Sequence, residues 1–202
     1  AELDGRPLAA FKAAELAVRR AVLPQHTMTS FGFDALAIVL MGRLGHGRGT
    51  HEDHDAAAAL DVMDELGVAH LARRDIRSLS GGEQQRVHLA RAIWQVRAAP
   101  ENHLLLDEPT SSLDITHQYD AMAVARNEAR RGTAVLVVLH DLNLATRFAD
   151  RLVVVRGGRI VASGAAEAVL RPESIRDWFG IEALVSPHPA DGAPMVVFCG
   201  RS

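Results

Sequence analysis

The stretch LLLDEPTSSLDITHQYD, residues 104–120, decides the fold together with AVLVVLHDLN, residues 134–143. Leu104–Leu106 and Ala134–Leu139 are continuous apolar runs without polar alternation. Such runs predict strands buried on both faces, as in a parallel sheet covered by helices. A helix is predicted between them, over roughly Ile115–Arg131. Strand, helix and strand at this spacing predict a βαβ unit and therefore an α/β fold.

Shorter predicted elements surround this unit. Helices are predicted over Ala10–Arg20, Phe33–Met41, Asp55–Leu66, Glu83–Val96, Ala165–Leu170 and Pro172–Trp178. Strands are predicted at Arg20–Leu23 and Met195–Phe198, and a hairpin at Leu152–Val155 with Arg159–Ala162. Helical and strand patterns mixed in this way are typical of one α/β domain with helices beside its sheet.

The composition is that of an ordinary globular protein. Of 202 residues, 48% are hydrophobic and 23% are charged. The net charge of −3 gives no reason to expect nucleic-acid binding. A single cysteine, Cys199, excludes an intrachain disulfide. The longest apolar runs are about six to eight residues, far short of the roughly 20 that a membrane-spanning helix needs.

Both predicted strands of the βαβ unit run into polar residues, Asp107-Glu108 and His140-Asp141. Ligands of open parallel sheets bind at the carboxyl ends of the strands, so one crevice should hold Asp107, Glu108 and His140. One carboxylate there can hold Mg²⁺, and the second can orient or deprotonate an attacking water. The alternative is a buried strand with a solvated acidic end.

A second candidate site is the run Leu79-Ser80-Gly81-Gly82-Glu83 before a predicted helix. Paired glycines let backbone N–H groups approach a phosphate closely, and the helix N-terminus adds partial positive charge. The alternative is a loop with a serine cap. The full run through Gln84-Gln85-Arg86-Val87 is much more specific than the glycines alone.

Four motifs together resemble the ATPases of ABC transporters. LSGGEQQRVHLARAI, residues 79–93, resembles their signature motif, and LLLDEPTSSLD, residues 104–114, resembles their Walker B strand, catalytic glutamate and D-loop. Val138–Asn143 resembles their switch-histidine segment, and Val22-Leu23-Pro24-Gln25-His26 resembles their Q-loop. The order and spacing match over essentially the whole chain. The resemblance implies a P-loop NTPase-like parallel sheet core, here N-terminally incomplete, with a helical subdomain.

The resemblance implies ATP and Mg²⁺ as cofactors and assigns the catalytic and metal-binding roles. Asp107 would bind Mg²⁺, and Glu108 would be the general base. Gln25 would sense Mg²⁺ and the attacking water, and would link the site to the membrane subunits. His140 would contact the γ-phosphate and hold the water in place.

The resemblance also implies a cofactor-binding set made of Ser80, Gly81, Gly82, Glu83 and Asp114. Ser80 and Gly82 would contact the γ-phosphate of an ATP held by the opposing subunit. Asp114 would lie at the dimer interface. Two subunits of this family sandwich two ATP molecules head to tail, so each site is assembled in trans.

One departure from the family is serious. The phosphate loop G-x-x-x-x-G-K-[ST] is absent from the 202 residues, and Lys12, the only lysine, has no glycine before it and no Ser or Thr after it. The loop would supply the backbone cradle for the phosphates, the lysine and the Mg²⁺-binding hydroxyl. We expect that roughly 50 residues of the family domain precede this sequence. The alternative is a degenerate remnant that binds no ATP.

Residues 1–202 are therefore interpreted as one ABC ATPase domain lacking its N-terminal part, with a helical and signature subdomain over about residues 26–100. Met41-Gly42-Arg43, Asp114–Gln118 and the tail around Asp177–Gly180 resemble importers of iron-siderophores, cobalamin and haem, and within that group the hemin-import ATPases. A DNA-repair or translation ATPase is less favoured, because Gln25 and Leu79 are 54 positions apart (79 − 25), which leaves no room for a long coiled-coil arm.

The resemblance predicts a hemin importer subunit, with iron-siderophore or cobalamin import as alternatives. Its partners would be integral membrane permease subunits, a second copy of the ATPase in a homodimer and, indirectly, a periplasmic substrate-binding protein, with no nucleic acid. The protein would lie peripherally on the cytoplasmic face of the inner membrane.

Overall fold

The computed structural model describes residues 1–25, 31–46, 52–98 and 102–200. They form two compact units, Ala1–Val138 and Leu139–Ser202, each with its own hydrophobic core. The interpretation of residues 1–202 as a single domain, and of 26–100 as a subdomain, stays a prediction. His26 of the predicted Q-loop lies outside the described residues.

A parallel three-stranded sheet organises the first unit. Its strands are β3 (Arg20–Leu23), β4 (His103–Asp107) and β5 (Ala134–Val138), in the order β3-β4-β5. Leu23 pairs with Leu106, which in turn pairs with Val137. The predicted βαβ unit is confirmed, since α5 (Ile115–Arg130) connects β4 to β5.

Helices and a small hairpin complete this unit. The hairpin consists of β1 (Glu2–Leu3) and β2 (Arg6–Pro7), and the helices are α1 (Ala13–Arg19), α2 (Ala35–Leu40), α3 (Glu52–Glu65) and α4 (Gly81–Val96). Single 3₁₀ turns occur at Leu8–Ala10, Ala69–Leu71 and Ile76–Ser78, and a longer 3₁₀ segment of six residues occurs at Met41–His46. The predicted helices are confirmed with ends shifted by a few residues, because caps and short 3₁₀ turns set the ends.

Helix α4 is the centre of the first unit's core. It contacts α2, α3, α5 and the strands β3 and β4, so most of its circumference is buried. Leu89 and Ile93 are completely buried, as is Leu104 on the adjoining strand. Full burial of one such side chain stabilises the fold by about 1.5–3 kcal/mol. The signature segment, residues 79–93, therefore lies largely on the most extensively packed helix of this unit.

The prediction that both faces of the second apolar run are buried is wrong for β5. Val135 and Val137 share the buried face with Leu104 and Leu106, to which they are paired, and pack against the core. Leu136 and Val138 point to the opposite face and are 57% and 46% exposed. The difference arises because the first unit's core lies on one side of the sheet only.

The second unit contains two antiparallel strand pairs and three short helices. The strands are β6 (Leu152–Arg156), β7 (Arg159–Gly164), β8 (Glu182–Pro187) and β9 (Pro194–Gly200), and the helices are α6 (Leu142–Phe148), α7 (Ala166–Val169) and α8 (Pro172–Phe179). The predicted hairpin is β6-β7, and Gly157 and Gly158 take its positive φ angles of 54° and 72°. Strand β8 and helix α6 were not predicted, because both are short and only weakly periodic.

In the part of the chain described here, no helix is both long and apolar enough to cross a membrane.

Candidate functional site

Asp107 and Glu108 lie where β4 ends. Asp107 is the last residue of the strand and is exposed. Glu108 has a left-handed backbone with φ of 49°, which is uncommon for a residue with a side chain. Its N–H donates to the Val138 carbonyl at 3.1 Å, and its carbonyl accepts the N–H of Ser111 at 3.3 Å. Hydrogen bonds therefore fix both the N–H and the carbonyl of Glu108. The strained backbone conformation lies at the residue that is predicted to be the general base.

Ser80 and Glu83 form a reciprocal cap at the start of α4. Ser80 donates its N–H to Glu83 Oε2 at 2.7 Å and its hydroxyl to the same oxygen at 2.8 Å, while the Glu83 N–H donates to Ser80 Oγ at 3.4 Å. These bonds, led by the one from the Ser80 backbone, lower the pKa of Glu83. The proposed alternative, a loop with a serine cap, is thus part of the structure, and the cap keeps the Ser80 hydroxyl at the helix N-terminus.

The two glycines after Ser80 differ in their surroundings. A Cβ added to Gly82 would lie 2.9 Å from the Ser112 carbonyl oxygen, so no larger residue fits without movement. A Cβ added to Gly81 would meet no atom within 4 Å. Gly82 is therefore required for packing against the loop after β4, whereas Gly81 leaves the helix N-terminus open to approach.

Asp114 caps helix α5. Its Oδ1 accepts the backbone N–H of His117 at 2.9 Å and lies 2.8 Å from His117 Nδ1. The backbone bond is the main cause that lowers the pKa of Asp114, with the His117 side chain contributing. The carboxylate is exposed at the first turn of the helix, where a negative charge is favoured.

Gln25 lies two residues after the end of β3, with Pro24 between them, and is exposed. The strand end is tied to the central helix, because Arg91 donates through Nη2 to the Val22 carbonyl at 3.2 Å. Burial lowers the pKa of this arginine. The end of β3, which precedes Gln25 of the predicted Q-loop, is therefore hydrogen-bonded to α4, the helix that Ser80 caps.

His140 belongs to the second unit. It is exposed and directly precedes Asp141, whose Oδ1 accepts the N–H groups of Asn143 and Leu144 at 2.8 and 3.0 Å and so caps α6. The expected crevice of His140 with Asp107 and Glu108 joins residues of different units and stays a prediction.

The first unit thus brings together four of the predicted segments: the end of β4, the loop to α5, the start of α4 and the root of the Q-loop. Among the described residues, no group of three or more His, Cys, Asp or Glu side chains could hold a metal ion by itself. A divalent cation would fit the exposed Asp107 carboxylate, since Mg²⁺ prefers oxygen ligands and commonly shares them with substrate phosphates.

Two residues in the first turn of α5 received no role from the sequence, although both lie in the stretch 104–120 that predicted the fold. His117 contacts the Asp114 carboxylate, and Gln118 donates through Nε2 to the carbonyls of Leu113 and Thr110 at 3.0 and 3.3 Å. A signal was present, since a polar residue three or four positions after a helix cap faces back toward the cap.

Known proteins are similar to this chain in sequence and in fold. The model of the ABC transporter family matches residues 2–111. The chain is 49% identical to the hemin import ATP-binding protein HmuV of Gloeobacter violaceus, over 99% of this chain and 74% of that protein. It is 48% identical to HmuV of Deinococcus radiodurans, over 97% of this chain and 75% of that protein. A dimeric ATP-binding cassette, solved in a post-hydrolysis state with ADP and phosphate bound, matches with a TM-score of 0.66 and 25% identity, over 81% of this chain and 72% of that one.

Proposed function

The chain belongs to the family of ATP-hydrolysing subunits of ABC transporters, and on this basis we propose that it couples ATP hydrolysis to hemin uptake across the inner membrane. The observation that carries the proposal is the similarity to two hemin import proteins at 49% and 48% identity over nearly the whole chain. An importer of iron-siderophores or cobalamin is the alternative within the same group. The subunit itself has no reason to touch the imported ligand, so the ligand is assigned through its relatives.

The residues at the end of β4 carry the proposed chemistry. When bound, Mg²⁺ would neutralise charge on the phosphates of ATP. Asp107 would hold the cation from its exposed position, and Glu108 would orient the attacking water and accept its proton. The bonds on both sides of Glu108 support this role, because they fix the backbone from which the carboxylate projects.

The start of α4 is proposed to serve an ATP bound by a second copy of the chain. The open space at Gly81 and the capped N-terminus of α4, a helix of 16 residues, suit a phosphate group. Ser80, Gly82 and Glu83 would complete this surface, and Asp114 would face the partner copy. Gln25 is proposed to sense Mg²⁺ and the attacking water, and His140 is proposed to contact the γ-phosphate and hold that water in place.

A membrane partner is supported by apolar side chains that follow Gln25. Phe31 and Leu44 are 72% and 75% exposed, on either side of α2. Exposed apolar residues that form one contiguous patch are typical of surfaces that bind another protein, and Phe31 and Leu44 are the candidates for such a patch. We propose that permease subunits bind on this side, that a periplasmic substrate-binding protein delivers the ligand to them, and that the ATPase lies on the cytoplasmic face.

A second candidate is an ATP-incompetent remnant, and the surroundings of Lys12 are the observation that bears on it. Lys12 precedes the seven-residue helix α1, and its backbone N–H donates to Glu15 Oε2 at 2.7 Å. It is exposed, with no glycine-rich loop before it. The described residues therefore contain no lysine arranged to bind the β- and γ-phosphates as the family does.

The test compares the full native chain, purified with its membrane partners and reconstituted in vesicles, with its Glu108→Gln variant. We expect hydrolysis of Mg²⁺-ATP that rises when hemin and its binding protein are supplied, and no such rise with a ferric siderophore or cobalamin. Glu108→Gln should still bind ATP but hydrolyse it at least about a hundredfold more slowly, since a positioned general base contributes about 10²–10⁴-fold.

The outcomes separate the candidates. Stimulation by cobalamin or a siderophore, and not by hemin, would move the assignment to that ligand. Absence of saturable ATP binding by the full native chain would establish the remnant and end the proposal of an active enzyme.

A further inference from the structure

The loop that joins β4 to α5, residues 108–114, has to satisfy its backbone polar groups outside any regular ladder. Two bonds form within the loop, from Ser111 N–H to the Glu108 carbonyl at 3.3 Å and from Leu113 N–H to the Thr110 carbonyl at 3.2 Å. Thr110 and Leu113 are both buried, at 9% exposure, so water cannot readily serve their carbonyls. Buried carbonyls without a partner are costly; the backbone gives the Thr110 carbonyl one donor, the Leu113 N–H, and a side chain provides the remaining donors.

Gln118 provides these donors. Its Nε2 donates to the Leu113 carbonyl at 3.0 Å and to the Thr110 carbonyl at 3.3 Å, so one carboxamide spans the loop. Its backbone N–H donates to the Asp114 carbonyl at 2.9 Å, which places it in the first turn of α5. The side chain is half-buried and extends from the first turn of a 16-residue helix, which fixes the point from which its carboxamide braces the loop.

The loop that Gln118 braces carries groups of the proposed reaction at both of its ends. Glu108 lies at the start with its left-handed backbone, and Asp114 lies at the end as the cap of α5. The middle of the loop touches the start of α4, since the Ser112 carbonyl leaves room for glycine alone at position 82. The loop therefore links Glu108 and Asp114 at its two ends with the start of α4 at its middle.

We propose that Gln118 is a positioning residue for ATP hydrolysis, whose carboxamide holds the 108–114 loop so that Glu108 keeps its orientation toward the attacking water. This inference rests on the proposed ATPase function. Gln118 touches neither nucleotide nor water in this scheme and acts through the loop backbone. A small displacement of a catalytic group is sufficient for a large effect, because about 1 Å of misplacement can cost about a hundredfold in rate.

The chain offers a closely matched control. Gln95 on α4 is also half-buried and also bridges two backbone carbonyls through Nε2, those of Ala17 at 2.8 Å and Arg20 at 3.3 Å. Gln95→Leu therefore removes the same two kinds of hydrogen bond as Gln118→Leu. Gln95 lies on another helix, α4, and is distant in sequence from the β4–α5 loop. The two variants should lose similar amounts of thermal stability.

The experiment measures kcat and KM for ATP in the full native complex for the wild type, Gln118→Leu, Gln118→Glu and Gln95→Leu. We expect both Gln118 variants to lower kcat about tenfold or more while KM changes less than about threefold, and Gln95→Leu to keep the wild-type kcat. Gln118→Glu keeps the size of the side chain but loses the amide donors, so it decides the question if the leucine variant folds poorly.

Equal losses of kcat in the Gln95 and Gln118 variants, or a change confined to KM, would overturn the inference and leave the proposed function standing. A wild-type complex that does not hydrolyse ATP would instead overturn the proposed function, and the inference with it.

Discussion

Replacement of Arg97 by methionine tests how much the stability of the first unit depends on the buried ion pair between Arg97 and Glu128. Arg97 follows the last residue of α4 and joins α3 to α5. Its Nε and Nη2 donate to Glu128 Oε1 at 2.9 and 2.6 Å, and its Nη1 and Nη2 donate to Glu65 at 2.8 Å each. Arg131 also donates to Glu128 Oε1, at 3.0 Å. Burial opposes the charge of Arg97, but its bonds to Glu65 and Glu128 raise its pKa above the usual value.

The size of the effect follows from the burial of the partner. The Glu128 side chain is only 2% exposed, so Arg97→Met would leave a buried carboxylate with Arg131 as its remaining partner. Removing one partner of a buried ion pair costs about 3–5 kcal/mol, and the surviving bond to Arg131 places the expectation near the lower end, at about 3 kcal/mol. In a protein of this size that loss lowers Tm by about 6–12 °C.

Urea unfolding followed by tryptophan fluorescence measures this loss. Trp94 is buried one helical turn before Arg97, whereas Trp178 belongs to the second unit. A Trp178→Phe background therefore makes the signal specific for the first unit. The shift in the free energy of unfolding is read from the midpoint at constant m-value.

Two further variants make the result decisive. Arg97→Met combined with Glu128→Met replaces the pair by apolar side chains and should return to within about 1 kcal/mol of the background protein. Glu65→Gln removes the more exposed partner and should cost less than about 1 kcal/mol. A loss below about 1 kcal/mol for Arg97→Met, or a double variant less stable than the single one, would refute the reasoning.

Three other expectations can be tested by the same unfolding measurements. Burial lowers the pKa of His88 from 6.5 to about 4, so the unfolded chain binds a proton between these values that the folded chain does not. This group should therefore lower stability by about 1.6 kcal/mol from pH 6.5 to pH 5, and His88→Gln should remove that contribution to the slope; an unchanged slope would contradict the assignment. Gly82→Ala should lower stability by about 1–3 kcal/mol because its Cβ would press on the Ser112 carbonyl, while Gly81→Ala should not; equal effects would show that the contact is unimportant. Glu83→Ala should cost about 1 kcal/mol through loss of the helix cap, and no change in Tm would remove that role.

Much of the fold could be predicted from the sequence, because its signals are local. Two apolar runs with a helix between them predicted the parallel pair β4-β5, and the glycines at 157 and 158 predicted the hairpin of the second unit. The P-loop NTPase-like α/β class is confirmed by the parallel sheet and by the solved ATP-binding cassette. The motif strings predicted the family, and the match to the family model and the identity to relatives confirm it.

Other features depend on contacts between segments distant in sequence, and periodicity carries no information about them. The open face of β5 is one example, since whether Leu136 is covered depends on which side of the sheet the helices occupy. The different roles of Gly81 and Gly82 are another, because identical neighbours in sequence meet open space in one case and a carbonyl group in the other.

The sequence by itself determined the fold class, the family and the residue types of the site. Only the tertiary structure decided how these residues are held. It placed Gln118 beneath the β4–α5 loop, tied Arg91 to the end of β3, and buried Glu128 against Arg97. These arrangements arise from packing, because a buried donor, acceptor or charge has to find its partner in space, and that partner is set by the way the elements assemble.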